Sequence, residues 1–344
     1  MSNFEMYESP FHQGDLSAYS FLVTGGAGFI GSNLVEYLLK YGAKKVRVLD
    51  NLSNGYRENV ELFLHNPHYE FIDGDIRNLA TCHRALEGMD FLSHQAALGS
   101  VPRSIKDPIT TNAVNIDGFL NILVAAKEST QLKRMVYAAS SSTYGDSPLL
   151  PKVEGNEGKP LSPYAVTKAV NEYYADVFSR VYGFNTIGLR YFNIFGPRQN
   201  ANNPYAAVIP IFCKQFLKGE APTINGDGIT SRDFTFVENA VQANIKAMLL
   251  GFESETLLPN INKHEVFNVA CGDQISLNEM VDMLKRISGK ELQAQYGPER
   301  AGDVRHSRAS IKKVEQLLGY KPTIRFEKGL KLAYNWYLTN LTSL

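Results

Sequence analysis

VTGGAGFIGSNL, residues 23–34, joins the end of an apolar run to the start of a helical one. The preceding YSFLVTGG (19–26) has the β-branched and aromatic content of a strand, and FIGSNLVEYLLKYG (29–42) has helical periodicity with Gly42 placed to end it. Gly25, Gly28 and Gly31 occupy the turn between them with GxxGxxG spacing. Many glycine turns between a strand and a helix are only tight connections. In this context, however, glycines also let backbone N–H groups approach a pyrophosphate at a helix N-terminus, where the dipole favours an anion. The turn therefore reads as a dinucleotide site formed by Gly25, Gly28, Phe29, Ile30 and Gly31. Asp50 ends the next apolar run, 19 residues after Gly31, where a carboxylate can accept from an adenosine ribose. Its charge would repel a 2′-phosphate, so NAD is expected rather than NADP.

Outward from this turn the strand–helix alternation continues. KVRVLD (45–50), YEFIDGD (69–75), DFLSHQAA (90–97), RMVYAASS (134–141) and TIGLRYF (186–192) read as strands, with helices over roughly 112–128 and 163–182. Such alternation predicts an α/β protein with a Rossmann-like, doubly wound parallel sheet. From about residue 196 the rhythm changes to a Pro- and Asn-rich loop and shorter elements, with a further strand at EVFNVACG (265–272). The division expected is a dinucleotide-binding domain over 1–190, with 1–19 as an extension, and a smaller mixed α/β substrate lobe over 191–344. Segments of that lobe should return to pack on the first domain.

Composition narrows the function. Lys+Arg and Asp+Glu both total 35, so no general electrostatic attraction draws the chain to nucleic acid or a lipid surface. Any bound anion needs local donors. Cys82, Cys213 and Cys271 are far apart and outside metal-ligand spacing, which suits a reducing, cytoplasmic compartment and no metal. No apolar run is expected to reach the ~20 residues of a membrane span, and the first residues do not have the pattern of a signal peptide.

SPYAVTKAVNEYY (162–174) places Tyr164 and Lys168 one helical turn apart, able to reach the same place. On that helix Val166, Ala169, Val170, Tyr173, Val177 and Val181 form the stripe expected to be buried. The pair could be a solvated surface contact. Alternatively, the ammonium and a nicotinamide cation could acidify the phenol. Ionising it near neutrality would take roughly 4 kcal/mol. Ser140, Ser141 and Ser142 follow a strand, at the end where open α/β sheets bind ligands.

With these motifs in order, the chain resembles the extended short-chain dehydrogenase/reductases, nearest to the bacterial UDP-N-acetylglucosamine 4-epimerases of surface-polysaccharide synthesis. TGGAGFIGS, DNLSNG, GDIRN, HQAALGSVPRS, AASSSTYG, SPYAVTK, RYFNIFGPRQ, NGDGITSRDF and AGDVRHS carry the likeness over nearly the whole length. It implies Tyr164 as acid/base, Lys168 on the nicotinamide ribose, Ser140 as the hydroxyl partner and Ser142 facing the sugar. It also implies NAD contacts at Asn51, Asp75, Ile76, Ala96, Asn115 and Tyr191. Substrate contacts fall on Gly99, Ser100 and Ser141, and on Asn193 at the UDP diphosphate. Ala207, Val208, Ile209, Thr223, Ile224, Asn225, Arg232, Arg300 and Asp303 match the uridine-diphosphate pocket. The helices near 112–128 and 163–182 resemble those that pair in a homodimer.

Related dehydratases carry an Asp-Glu pair where this chain has Ser141 and Ser142, and related decarboxylases carry a glutamate there. Serines cannot protonate a leaving group, which leaves reversible C4 epimerisation through a 4-keto sugar. Ser307, small and polar, stands where a bulky residue would exclude an N-acetyl group, and LGSVPRS lacks the lysine usual in UDP-glucose epimerases. The resemblance thus favours UDP-GlcNAc/UDP-GalNAc as substrates. A UDP-glucose or UDP-uronic acid 4-epimerase is the alternative, and a non-catalytic NAD-binding scaffold the remoter one.

Overall fold

In the computed structural model, residues 6–202, 206–252, 263–299 and 305–340 are described. The central sheet has seven strands: β1 (Ser20–Thr24), β2 (Lys45–Asp50), β3 (Tyr69–Asp73), β4 (Phe91–His94), β5 (Arg134–Ser140), β6 (Thr186–Tyr191) and β7 (His264–Val269). Their spatial order is β7-β6-β5-β4-β1-β2-β3, with every neighbouring pair parallel. The sheet is Rossmann-like. Strand β1 is buried at all five residues because helices cover both faces, which is why it reads as a run and not as an alternation. The order reverses between β1 and β4, opening a crevice at their carboxyl ends.

Five helices position the site: α1 (Phe29–Lys40), α2 (Gly118–Glu128), α3 (Pro163–Tyr182), α4 (Val208–Lys218) and α5 (Val237–Leu249). Every residue of α5 except Lys246 is buried, and the helix packs against α1 and β4–β6. The chain beyond residue 190 therefore supplies both a strand and a core helix to the Rossmann layer. What remains of it forms short two-stranded pairings: Ile194–Phe195 with Thr235–Phe236, Ser231–Arg232 with Ile275–Ser276, and Thr223–Asn225 with Gln295–Gly297.

Three sequence readings are corrected. The stripe on α3 expected to be buried faces outward: Tyr173 is 72% exposed and Val181 64%, and Val166 and Val177 are exposed too. Ala165, Lys168, Asn171, Ala175 and Phe178 face inward instead. Lys168 and Asn171 are turned in because they bond main-chain oxygens of Ala138 and Asn115, so small and polar residues take the inner face. The helix expected over 112–128 begins at Pro108 and contains a π-helical turn at Ala113–Asp117. Pro108–Glu128, 21 residues long with an 18-residue stretch of mean hydropathy 1.2, is also long and apolar enough to cross a membrane, contrary to the sequence reading. It packs against Leu79–Leu86 and α3 within the fold.

Of the expected extension, residues 6–19 lie along α1. Tyr7 is buried, and its hydroxyl donates to Asn33 at 3.1 Å while its N–H donates to Glu238 on α5 at 3.1 Å.

Candidate functional site

The crevice is lined by Gly25, Gly28, Asp50, Asn51, Asp75, Ile76 and Ala96, joined by Ser53, Asn54, Gly55, Gln95 and Leu98. Gly25 has φ +71°, and a Cβ there would lie 2.6 Å from Ala96 N; one at Gly31 would lie 2.2 Å from Gly25 O. Helix α1 has Gly28 at its N-cap and no side-chain cap, so first-turn N–H groups at Phe29 and Ile30 are left for an anion. Asp50 accepts from Ala27 N at 3.0 Å on one oxygen and from Leu52 N at 2.9 Å on the other. Each oxygen keeps lone-pair capacity for a ribose hydroxyl. Burial pushes the Asp50 carboxyl up, against the pull of these donors. Asp75 accepts from Asn51 at 2.8 Å and pairs with Arg77, whose guanidinium holds its carboxyl down at about 2.

Two expected cofactor residues are engaged within the protein. Asn115, in the π turn, bonds Leu98 N at 2.8 Å and Thr167 Oγ1 at 3.1 Å, tying the loop after β4 to α3. The Tyr191 hydroxyl accepts from Asn244 at 2.7 Å and donates to Gln95 at 3.1 Å.

Helix α3 begins at Ser162, whose hydroxyl caps Ala165 N, with Pro163 in its first turn. Tyr164 is held in the first turn, its N–H donating to Ser104 Oγ at 3.1 Å. Burial pushes the Tyr164 hydroxyl up, and the Ser140 hydroxyl pulls it down. The expected acidification by Lys168 is thus not what the chain alone provides. That buried ammonium donates to Ala138 O at 2.7 Å, and burial lowers its own pKa to about 8. Ser140 ends β5 and accepts from Ser142 N at 3.1 Å and Ser142 Oγ at 2.9 Å. Ser142, expected to face the sugar, is therefore turned onto Ser140, and Ser141 is half-buried beside it. Gly99 has open space around it, and Ser100 caps the short helix Val101–Lys106.

A second cavity of about 440 Å³ holds Asn193, Ala207, Val208, Ile209, Thr223, Asn225 and Arg232. Phe195, Phe212, Gln215 and Phe234, not singled out from the sequence, line it too. Ile224 does not: strand alternation sends it into the apolar core between Thr223 and Asn225. Asn193 has φ +41° and donates to Asp233 O at 3.0 Å. Ser307 donates its N–H to Ser231 O at 3.1 Å. Arg300 and Asp303 lie outside the described residues. Sequence reasoning also missed Asp233, a fully buried carboxylate that accepts from Cys271 N, Gly272 N and Ala309 N. Burial pushes it up to about 7 despite these donors. Its place between Arg232 and Phe234 in SRDF was the available signal.

Beneath the crevice, buried His94 bonds Thr24 Oγ1 at 2.7 Å, and burial lowers its pKa to about 3. The folded pKa lies below the unfolded one, so the unfolded chain binds the extra proton between about pH 6.5 and 3. Stability from this group is full above that window and declines as pH falls through it. The wild-type unfolding free energy should drop by up to about 1.4 kcal/mol per pH unit from this source. Denaturant titrations of wild type and His94→Gln between pH 7.5 and 5 should show a shallower slope in the variant.

The model of the NAD dependent epimerase/dehydratase family matches residues 21–270. A UDP-N-acetylglucosamine 4-epimerase from Methanobrevibacter ruminantium, solved with UDP-N-acetylmuramic acid, is 37% identical with a TM-score of 0.85. That likeness covers 95% of this chain and 100% of that one. The UDP-glucose 4-epimerase of Thermotoga maritima, solved with UDP-glucose, is 34% identical with a TM-score of 0.84, over 94% and 99% of the two chains. A UDP-glucuronate 4-epimerase of Thermodesulfobacterium geofontis is 32% identical over 93% of this chain and 97% of its own length. With a glycine turn between β1 and α1 at a crevice of the sheet and a family model spanning most of its length, the chain belongs to the NAD dependent epimerase/dehydratase family.

Proposed function

We propose that this protein is a reversible 4-epimerase of UDP-sugars, acting on the UDP-N-acetylhexosamine pair. The observation that carries this reading is the row of hydroxyls at the end of β5: Ser140 meets the Tyr164 hydroxyl, Ser142 bonds Ser140, and none of positions 140, 141 and 142 holds a carboxylate that could drive elimination. Bound NAD would supply a reversible hydride acceptor. Tyr164 would take the proton of the sugar 4-hydroxyl, directly or through Ser140, and return one after the ring has turned. Lys168 would orient the nicotinamide ribose and add positive charge near the phenol. Asn193 and Arg232, in the second cavity, would hold the diphosphate, so that binding energy at the nucleotide retains the 4-keto sugar while the ring stays loose.

The second reading, a UDP-glucose or UDP-uronic acid 4-epimerase, draws on the names of the Thermotoga and Thermodesulfobacterium relatives. Small, half-buried Ser307 supports the N-acetyl forms instead. Product analysis after incubation with UDP-GlcNAc, UDP-Glc and UDP-GlcA separately decides between them. The present reading expects conversion of UDP-GlcNAc to lead, and a strong preference for UDP-Glc would overturn the Ser307 argument.

The outward apolar face of α3 supports a homodimer. Tyr173, Val177 and Val181 on α3 are exposed, as are Ile105 and, at 81%, Ile109 on the short helices packed against α3, and monomers rarely leave much apolar surface open. Light scattering should give a dimer for wild type and a monomer for Tyr173→Asp/Val177→Asp; a wild-type monomer would refute this.

A further inference from the structure

Every polar atom of Ser231 is engaged. Its N–H donates to Arg305 O at 3.0 Å, and its carbonyl accepts from Ser307 N at 3.1 Å and Arg232 Nη1 at 2.9 Å. Its hydroxyl lies 2.7 Å from both His306 Nδ1 and Gln274 Nε2. This one residue therefore joins the strand carrying Arg232, which lines the nucleotide cavity, to the segment carrying Ser307. Two further side-chain links reach that segment: Arg232 Nη1 donates to Arg305 O at 3.3 Å, and Arg305 pairs with Asp227 in an exposed ion pair of the kind that holds little. His306 is half-buried and has no place in the chemistry described above.

We propose that His306 is a positioning residue: by gripping Ser231 it sets the Ser307 segment against Arg232, and so fixes where the sugar lies relative to the nucleotide anchor. This rests on the reading of Arg232 and Ser307 as substrate contacts. Removing the imidazole leaves Arg232 in its strand, held by Ser231 O, while the Ser307 segment keeps its main-chain bonds to Ser231 but loses the side-chain grip that fixes its setting. Grip on the nucleotide should survive, and grip on the sugar should suffer.

Isothermal titration of the NAD-loaded protein with UDP and with UDP-GlcNAc tests this. His306→Phe keeps a ring without nitrogens and should weaken UDP-GlcNAc about five- to tenfold, the scale of one lost hydrogen bond, while moving UDP less than twofold. His306→Asn, which offers an amide near the Nδ1 position, should restore most of the loss. Ser231→Ala should reproduce the phenylalanine effect without adding to it in the double variant. Equal weakening of UDP and UDP-GlcNAc, no weakening, or additive losses would overturn the proposal. Wild-type turnover measured alongside tests the epimerase reading separately: a selective binding loss without wild-type turnover would sink that reading and leave the role of His306 standing.

Discussion

Tyr164→Phe should lower turnover by about 10³-fold or more, the scale expected for loss of a positioned acid/base, with the fold and NAD binding intact. The substitution removes one oxygen. The Tyr164 N–H bond to Ser104 is main chain and remains, as do the Ser162 cap and the inner face of α3. Circular dichroism and NAD titration should match wild type, so that the loss is chemical. The pH profile adds a sign. Burial places the Tyr164 hydroxyl above its ordinary value of 10.0 in the chain alone, so the reactive phenolate is scarce at neutrality and its fraction grows with pH. The wild-type rate at subsaturating substrate should therefore rise from pH 6 to 8, and the residual rate of Tyr164→Phe should lose that dependence. Unchanged turnover in the variant would remove Tyr164 from the mechanism.

The second large effect is structural. Gly31→Ala would place a Cβ 2.2 Å from Gly25 O and 2.8 Å from Gly26 Cα, both backbone atoms with no flexible end to yield. The glycine turn must open to accept it. Overpacking of this kind costs about 1–3 kcal/mol or more, and the displaced atoms are those that should meet the pyrophosphate. We expect a lowered unfolding midpoint and NAD binding weakened by at least about 100-fold. Gly42→Ala is the control, because nothing lies within 4 Å of a Cβ there; its φ of +73° strains the residue but leaves the crevice untouched. Equal NAD affinity in the two variants would contradict the reading of the turn.

The Rossmann layer was legible in the sequence because its strands are buried on both faces and its turns are marked by glycine. The strand at 265–272 could be seen, but not its neighbour. Only tertiary pairing with β6 makes it the seventh strand. The inward face of α3 was misread because apolar spacing identifies a stripe without saying what covers it, while the hydrogen bonds of Lys168 and Asn171 decide which side turns in. Glycines and acids at strand ends could be placed at one crevice of the sheet, since backbone geometry and position in the sheet dictate both. The second cavity was less readable from residue chemistry. Its walls come from short elements far apart in the chain, and Phe195, Phe212 and Phe234 look like any core aromatics until the fold brings them together.

The most direct measurement of hydride removal and return at C4 uses UDP-GlcNAc deuterated at that carbon, incubated with the protein in ordinary water without added reductant. The account predicts UDP-GalNAc that keeps its deuterium at C4. Product with the label washed into solvent, or no inverted sugar at all, would contradict it.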